Sequence, residues 1–249
     1  MSKKLTGRIA AVTGGANGIG YATVKRFLQE DIDAVAIIDI NFDKAKSAAE
    51  ELDPSGKRAF AFSCNVADFK DTERCFGEIF AKLGRVDILV NSAGINRDKT
   101  LIKMSREEWK DVIGVDLTGI WNCCKQVCPG MKEREYGKIV NLSSISFKGG
   151  HGQTNYSAAK AGVLGLTRSL ARELAKHNVT VNAVCPAGVD TDMLKSIKPE
   201  IYEKKKAAFP RKRWARPEEL ASVIYFLSND DSSFVNGEKI VVTDSKAID

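Results

Sequence analysis

RIAAVTGGANGIG, residues 8–20, sets a short apolar run directly against a glycine-rich turn and the start of a helical segment. The run reads as a strand. Glycine lets backbone pass close to a pyrophosphate, and a helix N-terminus offers unpaired N–H groups and a positive dipole end to hold it. The generic dinucleotide pattern G-x-G-x-x-G is not met from Gly14, because Ala16 stands at its second glycine. On that motif alone the stretch is either a nucleotide cradle or a structural turn.

Outward from it, strand-like runs AVAIID, RAFAFS, DILVN, KIVNLS, TVNAVC and KIVVT alternate with helical segments at 18–30, 42–52, 69–83, 105–131, 156–176 and 217–228. An irregular polar region occupies 190–214. Short unalternating strands between helices imply an α/β architecture, a parallel sheet covered on both faces, with ligands bound at the carboxyl ends of its strands. The 249 residues are 43% apolar and no Pro/Ser-rich linker divides them, so a single domain over 1–249 is expected.

Composition narrows the function classes. No apolar run approaches the ~18–20 residues of a bilayer span, and Lys3-Lys4 precedes only the short run Ile9–Val12, too little for a signal peptide. A cytoplasmic protein with no membrane partner is the expectation. The six cysteines form no C-x-x-C pair and read as reduced, buried thiols, and two histidines without ligand spacing predict no metal site. The net charge of +6 is spread along the chain, apart from Lys204–Lys206 and Arg211–Arg213, and no stacking aromatics accompany it. Nucleic acid is therefore not an expected partner.

Two further observations bear on chemistry. Tyr156 and Lys160 are four apart and project from one helix face, where an ammonium favours the phenolate and makes a general acid/base usable near neutrality. Tyr21 with Lys25 and Tyr202 with Lys206 share that spacing, so context must separate them. Asp39 ends the second strand about twenty residues after the glycine loop, where an acid accepts hydrogen bonds from a ribose 2′-hydroxyl and repels a 2′-phosphate. It favours NAD over NADP, unless it is only the N-cap of the next helix.

Together these residues resemble the short-chain dehydrogenase/reductase family over essentially the whole chain. TGGANGIG fits TGxxxGxG, Asn91-Ser92-Ala93-Gly94 resembles NNAG, and Ser143, Tyr156 and Lys160 occupy the family's Ser, Tyr and Lys positions. AGINRD, NYSAAKAG, TVNAV and TDM at 191–193 are most similar to bacterial 3-oxoacyl-(acyl-carrier-protein) reductases and related NAD-linked alcohol dehydrogenases. The resemblance implies a single Rossmann-like domain, a doubly wound seven-stranded parallel sheet, and a homotetramer built through 105–131, 156–176 and the C-terminal segment.

It also implies roles. Gly14, Asn17, Gly18, Ile19 and Gly20 would hold the pyrophosphate, and Asn65 and Val66 would border the adenine. Asn91, Ala93 and Gly94 would border the adenosine side, and Val189 and Thr191 the carboxamide. Hydride would pass between the nicotinamide and a carbonyl carbon while Tyr156 exchanges a proton with the oxygen and Ser143 holds it. Lys160 would lower the Tyr156 pKa and bind the ribose. Asp116 stands where an asparagine is usual and would join the proton relay. Ser92, Ala187 and Thr243-Asp244-Ser245 also depart from the family pattern.

The activity implied is interconversion of a secondary alcohol and a ketone. A 3-oxoacyl thioester is the leading substrate, with Arg134 and His177 placed where carrier-protein reductases use basic residues. Asp39 counters that reading, since fatty-acid synthesis usually draws on NADPH. A sugar or polyol, a hydroxysteroid or a small hydroxy acid stays open, as does a silent NAD-binding regulator. His151 either contacts substrate or is a solvated loop residue; Ser146, Gln153, Gly188 and Met193 are further pocket candidates, under a lid at 190–214.

Overall fold

The computed structural model describes residues 4–195 and 199–245. Seven parallel strands lie in the order β3-β2-β1-β4-β5-β6-β7. They are β1 (Ile9–Thr13), β2 (Ala34–Asp39), β3 (Ala59–Ser63), β4 (Ile88–Asn91), β5 (Gly137–Leu142), β6 (Val179–Pro186) and β7 (Lys239–Val242). The order reverses between β1 and β4, which opens a crevice at their carboxyl ends.

Helices cover both faces because successive strand residues point to opposite sides. Ala10, Val12, Val35, Ile37 and Val90 pack with α1 (Gly18–Gln29), α2 (Phe42–Leu52) and α9 (Pro217–Leu227). Ala11, Ala36, Ile38 and Leu89 pack with α3 (Phe69–Leu83), α5 (Gly119–Glu133) and α6 (Thr154–Leu174). All of these strand residues are buried, so an all-round apolar strand appears in sequence as a continuous run.

Three local features place functional groups. The helical stretch expected over 105–131 is α4 (Arg106–Ile113) and α5 joined by a π turn, Gly114–Thr118. Inserting one residue into a helix re-aims its side chains, and here the turn carries Asp116 into the protein. The region expected to be irregular at 190–214 contains α7 (Asp192–Lys195) and α8 (Pro199–Ala207). The departure at the C-terminal end has a clear packing: Asp244 accepts the Arg211 N–H at 2.9 Å and pairs with its guanidinium at 3.0 Å.

Among the described residues no helix is long and apolar enough to cross a membrane. The cysteines are unpaired; Cys64, Cys75, Cys123, Cys124 and Cys185 are buried and Cys128 is partly so.

Candidate active site

A cavity of about 530 Å³ runs along the carboxyl ends of the strands. At one end lie Gly14, Asn17, Gly18, Ile19 and Asp39; at the other lie Tyr156, Lys160 and the segment Ser143–Ser146. The glycine loop is shaped by necessity. Gly14 and Gly18 have φ of 60° and 55°, and a Cβ on Gly14 would stand 2.9 Å from the Ala93 Cα. Gly20 lies behind the cavity, where a Cβ would meet the Gly14 carbonyl oxygen at 2.2 Å, so its smallness serves loop-to-helix packing.

Asn17 caps α1 by accepting the Gly18 N–H at 2.7 Å and donates to Asp192 at 2.7 Å, tying the loop to α7. Thr13, which the sequence reading passed over, accepts the N–H groups of Ser92 and Ala93 at 3.0 and 3.1 Å and so fixes the two sides of the crevice together.

Asp39 ends β2 at the cavity wall, and its Oδ1 accepts the Asn41 N–H at 3.0 Å. The N-cap of α2 is Asn41, which accepts from Lys44, so the alternative role for Asp39 falls away. Ala93, Gly94, Gly188, Val189, Thr191 and Gln153 also border the cavity.

Several expected residues do not. Asn65 accepts the Ala67 N–H, and Val66 packs against Gly119 and gives its carbonyl to Asn122. Asn91 is buried in a polar ladder, donating to Asn141, which donates to Thr167. His151 is exposed in the loop before α6 and lies outside the cavity lining. The Met193 side chain lies outside the described residues. Arg134 follows α5 at the amino end of β5, across the sheet from the cavity, with its guanidinium on the Val86 carbonyl; His177 precedes β6 at that same end.

Of the three Tyr-x-x-x-Lys pairs, only Tyr156 and Lys160 line the cavity. Asn155 sets the start of α6: its Oδ1 accepts the Tyr156 N–H at 2.8 Å and its amide donates to the carbonyls of Arg97 and Glu108. The Lys160 ammonium lies 5.4 Å from the Tyr156 ring centre, donates to the Leu142 carbonyl at 2.9 Å and stands 3.0 Å from Asp116 Oδ2. Asp116 Oδ1 accepts the Ile95 N–H at 2.9 Å.

The two serines at the end of β5 divide their duties. Ser143 Oγ donates to the Lys160 carbonyl at 2.8 Å, whereas Ser144 lies in the cavity wall with Tyr156, where it favours the ionised phenol. Ser144 Oγ also accepts the Ser146 N–H at 3.1 Å.

The electrostatics around the phenol oppose one another. Burial pushes the Tyr156 phenol above its ordinary value, Lys160 pulls it back, Asp116 pushes it up again, and the net direction is upward. Tyr156 is only partly covered as a residue, but the atoms around its hydroxyl are dense and dominate its titration. Lys160 therefore favours the phenolate, while burial and Asp116 oppose it. Burial would lower Lys160, but Asp116 and Tyr156 outweigh it and hold the ammonium above its usual range.

The donor set suits a nicotinamide dinucleotide. A helix N-terminus faces the cavity at Gly18, a carboxylate lies at one end and an ammonium at the other, and the Asn96 Oδ1 in the cavity wall is buried without a partner. Beyond Tyr156 the wall changes character. Leu194, Phe209 and Trp214 form an apolar side, with the Phe209 and Trp214 rings 5.1 Å apart. Gln153, held by Ser146 at 3.0 Å and Asp98 at 2.9 Å, forms a polar one. Gly188 allows the Trp214 ring against the backbone, since a Cβ there would come within 2.1 Å of it.

Comparison with known proteins agrees with this geometry. A short-chain dehydrogenase family model described as "Enoyl-(Acyl carrier protein) reductase" matches residues 14–244. The acetoacetyl-CoA reductase of Cupriavidus necator is 43% identical over 234 residues, 94% of this chain and 95% of that protein. The 3-oxoacyl-(acyl-carrier-protein) reductase FabG of Thermotoga maritima is 40% identical over 238 residues, 95% of this chain and 96% of its own. The protein of the same name from Staphylococcus aureus is 37% identical over 234 residues, 94% and 95% respectively.

Proposed function

The chain belongs to the short-chain dehydrogenase/reductase family, and from that premise we propose that it reduces the 3-keto group of a 3-oxoacyl thioester, with NADH in preference to NADPH. It is an oxidoreductase that uses a nicotinamide cofactor. The substrate reading rests on the relatives' activities together with a cavity that sets an apolar wall beside the Tyr156 hydroxyl, suited to an acyl chain. Gln153 and Ser146 offer polar atoms to a thioester carbonyl, and the exposed Lys205 at the cavity rim suits an anionic carrier or coenzyme A.

Gly14, Asn17, Gly18 and Ile19 would hold the pyrophosphate, Asp39 the adenosine ribose, Lys160 the nicotinamide ribose, and Val189 and Thr191 the carboxamide. When bound, the nicotinamide supplies the hydride for the carbonyl carbon. Tyr156 gives its proton to the carbonyl oxygen, and oxidation of the alcohol reverses the transfer. We assign the hydroxyl that holds this oxygen to Ser144, because Ser144 shares the cavity wall with Tyr156 and favours its ionised form, while the Ser143 hydroxyl is engaged by the Lys160 carbonyl. Ser143 instead fixes the main chain at Lys160.

Of the segment expected as a lid, 190–195 and 199–214 are described and 196–198 lie outside the described residues; it would cover this site, joined to the glycine loop through Asn17 and Asp192. A homotetramer follows the family pattern: Trp109 and Trp121 are 40% and 46% exposed on the α4–α5 stretch, and Phe234 near the C-terminal strand is fully exposed. The protein is a cytoplasmic enzyme in this reading.

The test is turnover of acetoacetyl-CoA and longer 3-oxoacyl thioesters, alongside sugars, hydroxysteroids and hydroxy acids, followed by nicotinamide absorbance with NADH and with NADPH. Thioesters giving the highest kcat/KM with NADH support the proposal. A preference for a polyol or steroid, or for NADPH, contradicts it.

A further inference from the structure

The charge buried beneath the phenol carries an inference that rests on the role given to Tyr156 and goes beyond it. We propose that Asp116 sets the pH range of the reaction by cancelling the Lys160 charge, so that Tyr156 stays protonated, and able to donate, to higher pH than it would beside an uncancelled ammonium.

The geometry is specific. Asp116 is fully buried in the π turn, its Oδ1 fixed by the Ile95 N–H and its Oδ2 3.0 Å from the Lys160 ammonium. Lys160 is itself buried at the inner side of the cavity and donates to the Leu142 carbonyl, which holds its ammonium beside Asp116. Seen from Tyr156, a lone cation would favour the phenolate, whereas a closed pair presents a dipole with much of that pull removed.

The other charged or titratable groups around the phenol do not restore the pull. Asp98, from the loop after β4, opposes ionisation, and Cys185 on β6 is held neutral by burial. Ser144, from the end of β5, favours the ionised phenol without carrying charge. The balance described above for Tyr156, raised overall despite the ammonium, agrees with this arrangement.

Asp116→Asn removes the charge and keeps both the shape and an acceptor for Ile95. The direct readout is tyrosinate absorbance against pH, for the protein minus its Tyr156→Phe variant, in the presence and absence of Asp116→Asn. Asn at 116 should move the Tyr156 midpoint down from the wild-type one by at least about one unit. The alkaline limb of carbonyl reduction and the pH at which alcohol oxidation levels off should both move down by the same interval. A midpoint that stays or rises overturns the proposal.

If Asp116→Asn does not fold, the double variant Asp116→Asn/Lys160→Met decides the matter. Removing a cancelled pair leaves the Tyr156 midpoint within about one unit of wild type, whereas a rise of more than that shows Lys160 acting uncancelled and refutes the idea. Because the titration needs no turnover, it separates this proposal from the functional reading, which fails independently if Tyr156→Phe keeps full activity.

Discussion

Two adjacent hydroxyls at the end of β5 give the sharpest prediction. Ser144→Ala removes the group assigned to hold the reacting oxygen beside Tyr156, and loss of one donor to charge developing in a transition state costs about 10²–10³ in kcat, or about 2.7–4 kcal/mol. Its effect on folding is smaller, since Ser144 otherwise only accepts the Ser146 N–H, a bond worth about 1 kcal/mol. Ser143→Ala should do the reverse. It strips a 2.8 Å bond from the buried Lys160 carbonyl, costing about 1–3 kcal/mol of stability, or roughly 2–12 °C in Tm, while kcat stays within about fivefold. Thermal melts and steady-state reduction of acetoacetyl-CoA at saturating dinucleotide measure both. A loss of a hundredfold or more in kcat from Ser143→Ala, with Ser144→Ala near wild type, would refute the division of roles.

Asp39→Ala should narrow the ratio of NADH to NADPH kcat/KM at least tenfold, since it removes both an acceptor for the ribose and a repulsion against a phosphate; an unchanged ratio contradicts the cofactor assignment. Asp53 tests the fold away from the site. Burial would raise its carboxyl, but Ser55 and the N–H groups of Arg58 and Ala59 hold it down to about 2. That bonus is complete above the unfolded value near 4 and is lost as pH falls through about 2. Asp53→Ala should therefore cost about 2 kcal/mol more at pH 7 than at pH 2, checked by denaturant melts across that range; a cost independent of pH argues against it.

The sequence carried the sheet and its covering helices because buried strands leave continuous apolar runs and the glycine loop follows the first of them. It also carried Tyr156, Lys160 and Asp39, whose contexts separate them from the unrelated Tyr21 and Tyr202. What it hid is local geometry. A π turn leaves the apolar pattern of a helix intact, so nothing in GVDLT announced how Asp116 is turned inward. The family pattern pointed to Ser143, and only the structure shows that Ser144 beside it lines the same cavity wall while the Ser143 hydroxyl bonds the Lys160 carbonyl. Asp98 and Asn96 reach the cavity from a loop with no period to read. The helix at 199–207 was legible after all: Pro199 opens it, Glu200 lies in its first turn and Lys204, Lys205 and Lys206 in its last.

The most direct test of the proton-donor role is Tyr156→Phe, with turnover measured beside dinucleotide affinity by fluorescence titration. The account predicts a fall in kcat of about 10²–10⁴ with the Kd for NADH changed less than about threefold. Turnover within tenfold of wild type, or loss of dinucleotide binding in parallel with activity, would contradict it.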